Sequence, residues 1–200
     1  MAQLSLFDET TAGTLPRDLL DYRPGVFSPE ESHTYLETLV RDTPWVQRIV
    51  QLYGREIVTP RLTAFYADAA ALSSRSDQEK NPLPWTPELL AIKMRIDPLA
   101  GVDFNAVLLN YYRDANDSVA WHTDNDGIPG RNRIVASVSF GQLRRFDIRK
   151  TSDHAQKFSV ELANGSYLLM HGDFQDHWEH RIAKSTRPLQ ARINLTFRIL

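Results

Sequence analysis

Three residues carry the chemistry of a metal site: His122 and Asp124, two positions apart in the stretch WHTDND, and the distant His180 in HWEH. An H-x-D pair alone is a weak signal, because an exposed loop offers the same two residues without purpose. At the end of a strand, however, side chains two positions apart project to the same side. With His180 added from a later β run, two imidazoles and one carboxylate would take one face of an octahedral ion, leaving three positions open for a co-substrate and oxygen. Zinc hydrolases also use three protein ligands, so the triad does not by itself choose the metal. The sequence has no cysteine. That excludes a disulfide framework, a cysteine nucleophile and a thiolate metal site, and leaves nitrogen and oxygen to hold any metal.

The C-terminal stretch RINLTFR adds a second chemistry. Strand alternation puts Arg192, Asn194, Thr196 and Arg198 on one face and Ile193, Leu195 and Phe197 on the other. Such a polar face is either solvent-exposed or functional. Two guanidinium groups with an amide between them suit a dicarboxylic acid, which bidentate hydrogen bonds recognise well. Asn110 and Tyr112 share a face of NAVLLNYY in the same way, either completing a polar pocket or forming an ordinary alternating strand.

Several elements must position these groups. Residues 1–15 are polar and without period, which predicts a flexible tail. The stretch SPEESHTYLETLVRDTP predicts a helix: Ser28 is the N-cap, Pro29 takes the first position, Glu31 follows three residues after the cap, and Tyr35, Leu36, Leu39 and Val40 form an apolar stripe. RIVQLY and REIVTP flank Gly54 as a hairpin with Tyr53 at its tip. Residues 67–84 read as a long surface loop. TPELLAIKMRIDPL reads as a second helix behind a Thr86 cap. From Phe104 onward come short β runs: NAVLLNYY, IVASVSFG, RRFDIRK, KFSVEL, SYLLMHG and RINLTFRIL, with Asn164-Gly165 reading as a two-residue hairpin. Helices followed by many short strands predict an α+β chain, a β sandwich or barrel with helices packed outside one sheet.

Residues 16–200 are expected to form one domain, with helices and a hairpin over 16–100 and the β core over 101–200; the composition, 42% hydrophobic and 24% charged, is that of a globular protein. No stretch approaches the roughly 18 apolar residues of a membrane span, which predicts a cytoplasmic protein without a membrane partner. A net charge of -2 gives no global pull on a polyanion, so nucleic-acid binding would need a local basic patch.

The order NYY, WHTDND, ASVSFG, GSYLLM, HWEH, RINLTFR resembles the AlkB family of iron(II)- and 2-oxoglutarate-dependent dioxygenases, over about residues 60–200. PRLTAFYAD and DSVAWHTDND are similar to members acting on single strands, and QLYG to the finger hairpin of a duplex-acting member. The resemblance implies a double-stranded β-helix, or jelly roll. It implies iron bound by His122, Asp124 and His180, with His177 a bystander. It also implies 2-oxoglutarate held by Arg192 and Arg198 with Asn110, Tyr112 and Asn194 in support. The activity implied is oxidative removal of N-linked methyl groups, as in 1-methyladenine or 3-methylcytosine, from bases in single- or double-stranded DNA or in RNA, releasing succinate, CO2 and formaldehyde. Asp126 matches the family's acidic residue that meets the exocyclic amino group of the flipped base.

The chain departs from that family in AAALSSRSD, which lacks the aromatic residues that usually sandwich the base. Tyr66, Phe65, Trp121 and Trp178 are candidates to replace them, each also a natural core residue. Tyr53 is expected to wedge into the base stack, and Arg61, Arg131, Arg133, Arg144 and Arg145 are candidates for phosphate contact. In the tail, Gln3 to Phe7 spell QLSLF, which resembles the peptide by which bacterial repair proteins dock on the sliding clamp. Two other readings stand beside demethylation of DNA: an oxygenase acting on a modified transfer-RNA base or a protein side chain, and a non-catalytic nucleic-acid-binding module.

Overall fold

A computed structural model of the chain describes residues 18–52, 54–72, 82–124 and 134–200. Local signals set its helices. In α1 (Pro29–Asp42) the Ser28 hydroxyl accepts from the Glu31 N–H while the Glu31 carboxylate accepts from the Ser28 N–H, the reciprocal cap that the spacing predicts. In α2 (Pro87–Ala100) Thr86 accepts from the Leu89 N–H, and Gly101 ends the helix at a φ of 68° that favours glycine.

Among the described residues the strands are β1 (Leu20–Arg23), β2 (Val46–Leu52), β3 (Arg55–Ala67), β4 (Ala106–Tyr112), β5 (Val119–His122), β6 (Val135–Gly141), β7 (Arg144–Lys150), β8 (Lys157–Leu162), β9 (Ser166–Met170), β10 (Trp178–Ile182) and β11 (Arg192–Arg198). They form a large sheet in the order β1-β9-β6-β11-β4-β3-β2 and a small one in the order β5-β10-β7-β8. Every pairing between these strands is antiparallel, and an isolated parallel bridge joins Tyr66 to Leu83. From β4 to β11 the chain changes sheet at each connection except β7 to β8, which is the jelly roll expected from the sequence.

Alternation sorts the large sheet into two faces. Leu109, Val138, Phe140, Tyr167, Ile193, Leu195 and Phe197 are buried outward against Leu39 of α1 and Leu89, Ile92 and Ile96 of α2, so the helices do pack outside one sheet. Between the sheets a second apolar cluster gathers Tyr112, Phe146, Ile148, Val160, Leu168, Phe174 and Trp178. The polar site opens beside this inner cluster, on the face that carries Asn110, Arg192 and Asn194.

Two expectations are corrected. Asn164-Gly165 does not close a hairpin: β8 pairs with β7 in the small sheet, and β9 pairs with β6 and β1 in the large one. The turn carries the chain across the core. Asn164 Oδ1 accepts from the Gly141 N–H, and an added Cβ on Gly165, at a φ of 71°, would lie 2.3 Å from the Phe27 carbonyl oxygen. The second strand of the hairpin does not stop near Pro60 but continues to Ala67 and pairs along β4. Pro60 is tolerated because the β2–β3 register shifts between Gln47 and Ile49, where its missing N–H breaks no ladder bond.

Candidate active site

The two histidines of the triad face each other across a strand pair. His122 is the last residue of β5 and lies in register with His180 in the middle of β10. Their ring centroids are 4.3 Å apart. Asp124, two residues past the strand, brings Oδ2 to 3.4 Å from His180 Nε2 and Oδ1 to 3.9 Å from His122 Nε2. The ligand atoms of all three lie within 4.8 Å of one another. Ligands about 2.1 Å from a shared ion sit roughly 3 Å apart when they occupy one octahedral face, so small adjustments close this set on a metal.

The electrostatics favour that role. Desolvation and the neighbouring His180 push the His122 pKa down to about 4, which keeps its imidazole neutral and able to coordinate. Burial opposes the charge on Asp124, but Arg198 and the two histidines overcome it and hold the carboxyl well below its usual range. His122 Nδ1 lies 2.8 Å from the Ala120 carbonyl oxygen; the proton therefore belongs on Nδ1, and Nε2 is free for the metal. His180 is held differently. Its ring stacks on Phe146 at 4.8 Å, and Nδ1 has no hydrogen-bond partner among the described residues.

Beside the triad, β11 presents its polar face inward. Arg192 is 1% exposed, donates from Nη2 to Ser139 Oγ at 2.9 Å, and has no partner for Nε or Nη1 among the described residues. Burial lowers its pKa to about 10. A buried guanidinium with idle donors is costly, and a carboxylate is the group that would satisfy it. Arg198 donates from Nη2 to Asp124 Oδ1, and its buried Nε has no partner among the described residues. Asn194 donates to Ser137 Oγ at 2.7 Å and to the Val138 carbonyl at 3.1 Å, so its amide is fixed by the protein. The Tyr112 ring is flanked by the guanidinium groups of Arg192, 5.1 Å away, and Arg144, 5.4 Å away. Asn110 accepts from Arg61 Nε at 2.7 Å, which brings Arg61 to the same wall of the site.

Other sequence candidates lie elsewhere. Tyr66 is 3% exposed on the outward face of the large sheet, within the core shared with the helices, and cannot meet a base at the site. Phe65 is buried with Ala67, Ala106 and Leu200, and Trp178 packs on Phe158. Trp121 is half-buried and has a guanidinium over its ring from Arg149 at 4.2 Å and another from Arg181 at 4.5 Å, so its ring is engaged within the protein. Arg144 is 3% exposed and donates to the carbonyls of Asp114, Asp117 and Ala183, which removes it from the phosphate contacts. Arg145 stays at the surface, paired with Asp147 and Ser159. Tyr53, Asp126, Arg131, Arg133 and the Gln3–Phe7 motif lie outside the described residues.

One functional residue carries no signal in the sequence. Gln175, 2% exposed in the short helix α3 (Phe174–His177), accepts from the Asp124 N–H at 2.8 Å and so fixes the backbone of a triad residue. A glutamine beside a histidine-rich run is indistinguishable from a surface residue until the fold buries it.

The family model described as the 2OG-Fe(II) oxygenase superfamily matches residues 20–198. The chain belongs to that superfamily. Within it the likenesses are to AlkB homologues. Alpha-ketoglutarate-dependent dioxygenase alkB homolog 3 of Rattus norvegicus is 38% identical over 186 residues, 88% of this chain and 62% of that protein. The Homo sapiens protein of the same name is 39% identical over 183 residues, 88% of this chain and 64% of its own length. DNA oxidative demethylase ALKBH2 of Homo sapiens is 34% identical over 156 residues, 74% of this chain and 60% of that protein. The chain thus spans less than two thirds of the length of these relatives. The solved structure of OsALKBH1 superposes with a TM-score of 0.65 at 15% identity, covering 90% of this chain and 97% of that one, which supports the jelly-roll fold. Membership implies iron(II) and 2-oxoglutarate, and the donor set fits both: nitrogen and oxygen ligands for the metal, idle buried guanidinium donors for the dicarboxylate. Among the described residues no helix is long and apolar enough to cross a membrane.

Proposed function

We propose that this protein is an AlkB-type dioxygenase that removes N-linked methyl groups from bases in nucleic acid. One observation carries the reading: Asp124 lies between His180 on one side and Arg198 on the other, joining a two-histidine, one-carboxylate triad to a dicarboxylate pocket. His122, Asp124 and His180 hold the metal. Arg192 and Arg198 hold the two carboxylates of 2-oxoglutarate, with Asn110, Tyr112 and Asn194 shaping the pocket. Iron(II) with 2-oxoglutarate and dioxygen supplies oxidation of an unactivated methyl group, which then leaves as formaldehyde.

The protein's own residues must bind, orient and keep water out. The target base has to leave its stack to reach the triad, and a methylated base that pairs badly unstacks at lower cost. Asp126 meets the amino edge of that base, Arg61 lines the wall beside Asn110, and Tyr53 enters the stack the base has left. The name of one relative, the DNA oxidative demethylase of Homo sapiens, supports a nucleic-acid substrate.

The test is formaldehyde and succinate release from single- and double-stranded DNA and RNA carrying 1-methyladenine or 3-methylcytosine, beside unmethylated controls. Formaldehyde from methylated strands alone is expected. Succinate without formaldehyde from any nucleic acid would move the substrate to another class, and no turnover of 2-oxoglutarate would overturn the enzyme reading. As a partner we propose the sliding clamp, through Gln3–Phe7, whose three apolar side chains suit a hydrophobic groove. Equal recovery on immobilised clamp of the full chain and of a variant with Leu4, Leu6 and Phe7 changed to alanine would remove that partner.

A further inference from the structure

His122 reaches the triad only because β5 is irregular. Between the pairs Val119↔Ile182 and His122↔His180, β5 takes three residue steps where β10 takes two. Val119 packs inward on the inner cluster. Plain alternation from there would turn Trp121 inward and His122 outward. The extra residue reverses this, as bulges next to active sites do when they re-aim a side chain. The same bulge turns the Ala120 carbonyl onto His122 Nδ1 at 2.8 Å, so one backbone irregularity sets both the direction and the tautomer of the ligand.

The bulge also sends Trp121 to the outer face of the small sheet, where its ring meets the guanidinium of Arg149 on β7 at 4.2 Å and that of Arg181 on β10 at 4.5 Å. Both arginines are fastened. Arg149 Nε donates to Glu179 at 2.5 Å, and Arg181 Nε donates to Asp147 at 2.9 Å. Asp147 in turn accepts from Ser159 on β8. The indole is therefore anchored to every other strand of the small sheet. β5 itself is four residues long and lies at that sheet's edge; Val119 in the inner cluster and the Ser118 N–H on the Pro60 carbonyl hold its start, Gln175 holds the Asp124 N–H beyond its end, and Trp121 holds the bulge between them.

We propose that the Arg149–Trp121–Arg181 stack is a latch that holds the bulge of β5 and thereby aims His122 at the metal. Trp121 is a positioning residue: it acts through the backbone of β5 from the opposite face of the sheet. The inference rests on His122 being a metal ligand, and its test separates the two claims.

Cobalt(II) is titrated into the full-length, metal-free protein and followed by its visible bands, for wild type, Trp121→Ala, Trp121→Phe, Arg181→Leu, His122→Ala and the double variant Trp121→Ala/His122→Ala. Nitrogen chemical shifts report in parallel which ring atom of His122 carries the proton. Trp121→Ala is expected to weaken cobalt binding about tenfold, the lower range for losing a support behind a ligand. It is also expected to erase the Nδ1–H signature. Trp121→Phe, which keeps a ring against the arginines, retains most of both. On the His122→Ala background, Trp121→Ala should change nothing further. Unchanged affinity and tautomer in Trp121→Ala would overturn the latch, and so would an equal loss on the His122→Ala background, which a merely structural role would give. If Trp121→Ala does not fold, Arg181→Leu carries the same test, and wild-type affinity in that variant overturns the latch. Full cobalt affinity in His122→Ala would overturn the ligand assignment, and the latch with it.

Discussion

Arg198 donates from Nη2 to Asp124 Oδ1 across 2.7 Å, in a pair whose side chains are 17% and 7% exposed. The last strand of the jelly roll is thus tied to the loop that follows β5. Changing Arg198 to Met leaves a buried carboxylate without its cation, although His122 and His180 remain. The expected loss at pH 7 is about 3 kcal/mol, the lower range for breaking a buried pair. In the native protein the pKa of Asp124 is depressed, so its contribution is present above the unfolded value of 3.8 and lost as pH falls further. The gap between wild type and Arg198→Met, measured by urea unfolding of the metal-free proteins, should therefore be widest near neutrality and narrow in acid below that value.

His122 makes a second, separate pH window. Its pKa falls from 6.5 in the unfolded chain to about 4 in the folded one. The unfolded state takes up the proton first, so this contribution to stability is present above 6.5 and lost as pH falls towards 4. The side chain is 35% exposed, so solvent reduces the effect. Wild type should lose more stability between pH 7 and pH 4.5 than His122→Gln, which has no group to titrate there; parallel losses in the two proteins would disprove the depressed pKa.

Arg192 should show a trade between stability and binding. With Nε and Nη1 buried and without a partner among the described residues, the free protein bears a desolvation cost of about 1–3 kcal/mol for each idle donor. Arg192→Met removes that cost and gives up the contacts with the Ser139 hydroxyl and with Tyr112. The free variant should melt at or above the wild-type temperature while losing the thermal shift that 2-oxoglutarate gives the wild type. A variant that melts lower and still responds to 2-oxoglutarate would show that the arginine is structural.

Arg144 should behave in the opposite way. It is buried and satisfies the carbonyls of Asp114, Asp117 and Ala183, which lie on either side of the site in sequence. Arg144→Met strands all three, at about 1 kcal/mol or more each, so unfolding should show a loss of about 3–5 kcal/mol. Arg144→Lys should recover little, since one ammonium cannot span three acceptors set for a guanidinium fork. A surface role would leave both variants as stable as wild type.

Local chemistry was readable from the sequence, because it depends on neighbours in the chain. The Ser28–Glu31 box, the Thr86 cap, the β runs and the shared face of Arg192, Asn194 and Arg198 all follow from spacing and side-chain type. The triad residues were legible as metal-binding residue types and through the family resemblance, but β5 and β10, the strands that place them, were not among the expected β runs. The failures share a different origin. Asn164-Gly165 has the composition of a hairpin, but whether the next strand pairs with the last or crosses to the other sheet depends on partners far away. Tyr66 and Trp121 are aromatic residues that the sequence offered as base contacts, yet one faces the helices and the other a pair of arginines.

The sequence by itself determined which residues could bind a metal and a dicarboxylate, since strand parity and donor type are properties of the chain. Tertiary structure alone decided that a bulge turns His122 inward, that Gln175 and Arg144 are buried supports, and that Asp124 joins the two halves of the site. Sheet membership and the choice of inner face arise from long-range packing, where a shift of a single residue reverses every side chain that follows.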